Sequence, residues 1–197
     1  MVPGGFDWII DLREGHVDNM KTLALASTSP TQADDAHSRH SSLRASIIDH
    51  LFVGELLRFL WRQGMRSVEL LRAEVDAGGY DLVVECNGVT RYIQLKSSYK
   101  EATTNRVDVN MGLAGKPGGC VVWIQFDHDM NVGPYLWLGS EPGDPVKLGG
   151  QVARHSRGPA GAKRLRPNIR VVRKTSFTEL RGIDELVTRL FGSTPWV

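Results

Sequence analysis

A chain of 197 residues and 21.8 kDa, 41% hydrophobic and 23% charged, can bury the core of one ordinary domain but not of two large ones. No apolar run approaches the roughly 18 residues needed to cross a bilayer. The start MVPGGFDWIIDLREGH lacks the basic head and apolar stretch of a signal peptide, so a cytoplasmic chain without a membrane partner is expected. Cys86 and Cys120 stand apart with no CxxC partner, which argues against a disulfide scaffold and a structural zinc. The net charge of +2 is unevenly placed. Residues 1–149 carry 14 Lys+Arg against 19 Asp+Glu, whereas residues 150–197 carry 10 against 3. An acidic body with a basic end suits a metal site on one surface and a phosphate-facing patch on another.

Residues 1–42 are expected to form a flexible lead-in, since residues 18–44 are dominated by Ser, Thr, Ala, Asp, His and Gln around Ser29-Pro30 with no sustained apolar period. From Leu43 to Gln63, Ile47, Ile48, Leu51, Phe52, Leu56, Phe59 and Leu60 recur at helical spacing, and Gly64 supplies a stop. The period then becomes strand-like over Ser67–Val75, Tyr80–Cys86 and Thr90–Ser97, with Asn87-Gly88 as a hairpin turn. Arg106–Ala114 is expected as a short helix, Cys120–Phe126 and Pro134–Leu138 as strands, and Phe177–Phe191 as a closing amphipathic helix. Residues 43–140 thus form a core, 141–176 a basic Gly/Pro-rich loop segment, and 177–197 a helix packed on that core, all within one domain.

A two-residue turn at Asn87-Gly88 pairs Cys86 with Val89 and, counting back, Asp81 with Gln94. Opposed residues share a sheet face, and Lys96, two residues beyond Gln94, shares it too. A carboxylate, an amide and an ammonium are thereby drawn onto one patch, while Tyr80, Leu82, Ile93 and Leu95 are expected to point into the core. Hard oxygen donors of this kind suit Mg²⁺, and a Lys beside the ion can position a water or offset charge on a phosphate. The chemistry implied is phosphodiester hydrolysis.

The stretch from Val75 to Glu85, VDAGGYDLVVE, followed by RYIQLKSS from Arg91 to Ser98, resembles the PD-(D/E)xK nuclease superfamily, in the branch where Gln replaces the glutamate, as in Mrr-type endonucleases. The resemblance spans residues 43–127. It implies an α/β (α+β) fold with a restriction-endonuclease-like αβββαβ core, a central mixed sheet of four to five strands, and flanking helices. It also implies Asp81 as the metal-binding aspartate, Gln94 in the glutamate position, Lys96 as the catalytic lysine, and Glu55 on the preceding helix as an additional acid. The Leu95 backbone carbonyl would join Asp81, Gln94 and Glu55 around Mg²⁺, with Mn²⁺ as an alternative. The chain departs from the family pattern in lacking a Pro before Asp81 and in placing a neutral amide at position 94.

Other readings stand beside these. Glu55 can instead pair with Arg58 or Arg62, and Glu74 or Asp76 can serve as the metal carboxylate in place of Asp81. Glu85 reads as solvent-exposed, Asp127-His128-Asp129 as a hairpin turn, His155 as a loop residue, and Trp123, Tyr135 and Trp137 as core. Arg154 to Lys174 holds eight Lys or Arg and no acid. Of these, Arg154, Arg157, Lys163, Arg164 and Arg166, with Lys100 near the catalytic strand, are the candidate contacts to a DNA backbone. The function expected is a Mg²⁺-dependent endonuclease acting on DNA in restriction, repair or phage defence, with a homodimer as the natural assembly for double-strand cleavage. The alternative is a catalytically inactive nuclease-fold protein that binds DNA as an accessory. No phosphate-cradling glycine loop calls for a nucleotide cofactor.

Overall fold

A computed structural model describes residues 40–75, 77–154 and 164–193. Helix α1 (Ser41–Arg62) leads into β1 (Val68–Arg72), β2 (Leu82–Cys86) and β3 (Val89–Tyr99). After β4 (Arg106–Asn110) and a 3-10 turn at Met111–Gly115 come β5 (Gly119–Phe126) and β6 (Val132–Gly139). The chain then forms β7 (Gln151–Arg154), β8 (Leu165–Arg173), β9 (Thr178–Leu180) and helix α2 (Ile183–Phe191). Among the described residues no helix is long and apolar enough to cross a membrane.

The fold is mixed α/β, with a six-stranded sheet in the order β1-β2-β3-β5-β6-β9 and a three-stranded sheet in the order β4-β8-β7. Within the large sheet β3 and β5 run parallel and the other neighbours antiparallel. Strand β5 is buried from end to end, as a strand covered on both faces must be. On one face Cys120, Val122, Ile124 and Phe126 meet Ile48, Phe52, Leu56 and Leu60 of α1 together with Leu186, Val187, Leu190 and Phe191 of α2. On the other face Val121 joins Val109 of β4, Val172 of β8, Leu113 and Val146. The molecule is therefore layered, with both helices on one side of the main sheet and the small sheet on the other.

Four expectations are corrected. The central sheet has six strands rather than four or five, because β6 is extended by β9. Arg106–Asn110, expected as helix, is β4: the alternation of Val107 and Val109 with Arg106, Asp108 and Asn110 is a strand pattern, and it pairs with β8. The segment read as loop contains both β7 and β8, whose Arg and Asn residues masked the Ile169–Val172 run. The closing helix begins at Ile183, and Thr178–Leu180 is strand instead.

Candidate active site

The hairpin forms as its dipeptide dictates. Asn87 and Gly88 both take positive φ, 49° and 81°, and Gly88 N–H donates to Glu85 Oε1 at 2.6 Å. The register runs from Cys86↔Val89 to Leu82↔Ile93 and stops one pair short of Asp81. There the Asp81 N–H turns to donate to the Ile93 carbonyl, and the Asp81 Oδ2 atom accepts from Leu95 N–H at 2.6 Å. The aspartate side chain takes the place that a backbone carbonyl would fill had the strand continued.

The chain leaves the ladder because Gly78-Gly79 bends against the segment Asn110–Leu113. Gly79 is buried at φ +74°, and a Cβ on it would lie 2.6 Å from the Leu113 nitrogen. The bend also overturns the expected direction of Tyr80. Its ring meets that of Tyr92 at 5.1 Å on the small-sheet side, instead of joining Leu82 beneath α1.

Gln94 is 2% exposed, and its Oε1 accepts from Asn110 N–H at 3.1 Å. The amide thus ties β3 to the β4 end of the small sheet, a buried polar group satisfied by a backbone donor. Lys96 follows on the same face and is half-buried. A strand residue directs its own N–H and C=O to the same side, so the Leu95 carbonyl is aimed at the edge where Asp81 stands.

Glu55 does not belong to this cluster. Its Oε2 accepts the Tyr135 hydroxyl at 3.1 Å, and Arg58 lies 4.0 Å from its Oε1. Burial, and then the neighbouring Glu55 charge, push the Tyr135 hydroxyl's pKa up. The helix acid in the field of Asp81 is Asp49, one and a half turns earlier. Burial first, and the Asp81 charge second, push its carboxyl from 3.8 up to about 6, while Arg72, His50 and Lys96 pull it back. Sequence reasoning passed over Asp49, although a signal was present. On the helical wheel Asp49 falls between Leu56 and Leu60, inside the buried stripe, where an ionised group is costly; Glu55 falls only at its margin.

The remaining candidates separate by environment. Lys100 pairs with Asp127 at 3.2 Å and Arg166 with Asp108 at 3.0 Å, whereas Arg154 and Arg164 are exposed at the facing ends of β7 and β8. Arg157, Lys163, His155 and Asp76 lie outside the described residues. Glu74 is exposed beyond β1. Asp127 accepts from the Asp129 and Asn131 N–H groups, so Asp127-His128-Asp129 is a turn. Cys120 is fully buried, and burial pushes its thiol up to about 12. Among the described residues no group of three His, Cys, Asp or Glu side chains converges on a metal position. At the β2–β3 edge stands the Asp81 carboxylate, held by the Leu95 N–H, with Asp49 on α1 near enough for the two charges to act on one another.

No protein-family model matches the chain, and none of the curated proteins matches it. Among solved structures, the chain is similar to a bacterial homing endonuclease at 17% identity, with a TM-score of 0.31. The similarity covers 60% of this chain and 81% of the endonuclease chain.

Proposed function

We propose that the chain is a divalent-metal-dependent deoxyribonuclease of the PD-(D/E)xK type. The observation that carries this reading is the placement of Asp81, the Leu95 backbone, Asp49 and Lys96 at one half-exposed edge of the main sheet, with Asp49 raised by burial and by Asp81. Two carboxylates repelling one another beside a carbonyl oxygen fit a small hard cation, Mg²⁺ or Mn²⁺, which would relieve that repulsion. When bound, such an ion lowers the pKa of a water and polarises a phosphoryl oxygen. Asp81 and Asp49 supply the anionic grip, and the hydrogen bond from Leu95 N–H fixes the Asp81 carboxylate. Lys96 offers an ammonium that orients the attacking water and offsets charge growing on the phosphate. Gln94 positions the strand through Asn110, and Asp49 replaces Glu55 as the helix acid. Arg154 and Arg164, with Arg157 and Lys163 between them in sequence, contact the DNA backbone.

The test incubates purified protein with plasmid and linear DNA plus Mg²⁺ or Mn²⁺, beside the Asp81→Ala, Asp49→Asn and Lys96→Ala variants, with Glu55→Gln as a control. Cleavage is expected to fall about a hundredfold or more in the first three and to survive in the control. Unchanged cleavage in Asp81→Ala and Lys96→Ala overturns the assignment. The second reading, a DNA-binding accessory without catalysis, is favoured by the commitment of the Gln94 oxygen to Asn110. It requires salt-sensitive DNA binding with no metal binding by calorimetry.

A further inference from the structure

The outer face of helix α1 reads the same from either end. Counting from Gly54, Leu51 and Leu57 stand three positions away, His50 and Arg58 four, and Ile47 and Trp61 seven. Offsets of three, four and seven residues return to one side of a helix, so all six lie within about 60° of Gly54. The core residues Ile48, Phe52, Leu56 and Leu60 lie on the opposite side. Exposure along the stripe runs from 38% at Ile47 and Leu57 to 64% at Trp61, and Leu43 continues it at 61%. Gly54 is exposed, with nothing within 4 Å of a Cβ built on it.

A face symmetric about its centre is what a two-fold pair of antiparallel helices requires, because each offset on one copy is then met by the opposite offset on the other. Two such helices crossing at Gly54 approach closely there, while the bulkier Ile47 and Trp61 fall towards the ends, where crossing axes diverge. The polar groups match as well. His50 Nδ1 lies 2.7 Å from the Ser46 carbonyl, which only accepts, so Nδ1 carries the proton and Nε2 of the neutral ring is an acceptor. The residue that meets it across the pair is Arg58, a donor whose side chain is 70% exposed. Beside Gly54 lies a cavity of about 440 Å³, lined on the helix by His50, Leu51, Gly54, Glu55 and Arg58 and on the other side by the turn between β5 and β6. The other copy's Arg58 enters this cavity at the His50 end, about 12 Å along the axis from the Arg58 already there. The five apolar residues leave about 500 Å² exposed on each copy. Covering both stripes, with Gly54, His50 and the Arg58 stem, buries about 1,000 Å² or more, which reaches the size of a specific interface.

From this symmetry and area we infer that the outer face of α1 is the interface of a homodimer, in which a second copy of the same helix crosses antiparallel at Gly54. Leu51 and Leu57 close the seam on either side of the glycine, and each Arg58 donates to the other copy's His50. The pairing uses none of Asp49, Asp81 and Lys96, so it stands apart from the nuclease reading.

Analytical ultracentrifugation of the full chain should show a concentration-dependent rise from 21.8 kDa towards twice that mass. Gly54→Leu fills open space at an exposed helical position, so circular dichroism should be unchanged while the close approach is blocked and the chain stays monomeric. Arg58→Ala should raise the dimer Kd about tenfold or more, through the loss of a charged donor on each copy. Under mild oxidant Gly54→Cys, whose two thiols meet at the crossing, should form a disulfide between copies. Leu57→Cys should not, since its two sites stand about 9 Å apart along the axis. Native Cys86 and Cys120 are fully buried and do not compete. A chain that stays monomeric up to about 100 μM overturns the inference, and the stripe then belongs to another part of the chain or to another partner. So does a dimer whose Kd Gly54→Leu leaves unchanged, or one that cross-links at position 57 as fast as at position 54.

Discussion

Strand β3 carries a cation near each end, and the two are treated oppositely. Arg91 is fully buried, and its guanidinium donates to the carbonyls of Arg189 and Leu190 at the end of α2 and of Ser140 and Glu141 after β6. It also lies over the Trp137 ring at 5.6 Å. Lys96, five residues on, is half-buried and contributes to the field around Asp49. At the first end a charge is wholly spent on holding the second helix to the sheet, where its donors meet the C-terminal carbonyls of the helix dipole. At the second, the Asp81 and Lys96 charges act in opposite directions on the part-buried carboxyl of Asp49, which burial already disfavours as an anion. Charge that is satisfied serves stability, whereas a carboxyl pressed by burial and by a neighbouring charge is the kind of group that marks a candidate site.

The largest effect is expected at the buried end. Arg91→Met removes five donors at once and leaves the four carbonyls without them, which should lower stability by about 3–5 kcal/mol in urea unfolding. A loss under 1 kcal/mol would show that those carbonyls find other partners and that the contrast between the ends is smaller than drawn. At the other end, Lys96→Met keeps the aliphatic stem and removes the charge. Its melting temperature should stay within about 2 °C of the parent, as for a partly exposed substitution, while DNA cleavage falls about a hundredfold. A matching fall in stability would make Lys96 structural.

How much of this could be read from the residues alone follows the same division. The hairpin register was legible because Asn-Gly forces a two-residue turn, and the core stripe of α1 was legible because its period is regular. The layer behind the sheet was not. Strand β4 is half polar, only five residues long, and pairs with β8 some sixty residues away, so its Val107/Val109 alternation is too short to stand out beside a helical reading. The burial of Asp49 was passed over for a related reason. A carboxylate at the margin of an apolar stripe looks like a site residue when the sheet it faces is unknown, yet the tyrosine that binds Glu55 lies eighty residues downstream. Asp81 was proposed by counting a ladder that in the structure ends one pair short of it, at Leu82↔Ile93, because the chain bends there.

Gln94 lies between the two ends and sharpens the contrast. Replacing it with Leu removes the side-chain acceptor of the part-buried Asn110 N–H and should cost about 1 kcal/mol. Gln94→Glu retains an acceptor for that N–H but puts a negative charge at a buried position two residues from Lys96. The metal-free protein should then be less stable than the parent and should gain more from added Mg²⁺ in a thermal shift experiment. If Mg²⁺ shifts both proteins equally, position 94 lies outside the field of the ion.

The smallest effect is the most direct measure of the repulsion. An acid whose pKa in the fold lies above its unfolded value binds its proton more tightly when folded. Its contribution to stability is therefore complete below 3.8 and is lost as pH rises through about 6. Solvent screening at this half-exposed carboxyl reduces the change to about 1 kcal/mol. Urea unfolding of the chelated protein between about pH 4 and pH 7, with Asp49→Asn as reference, isolates it, because every other titrating group is common to both proteins. The parent should lose stability relative to the variant as pH rises across this window. Parallel curves would mean that Asp49 titrates as an ordinary surface acid, that burial and Asp81 do not press on it, and that the edge of the sheet holds no stored repulsion for a cation to relieve.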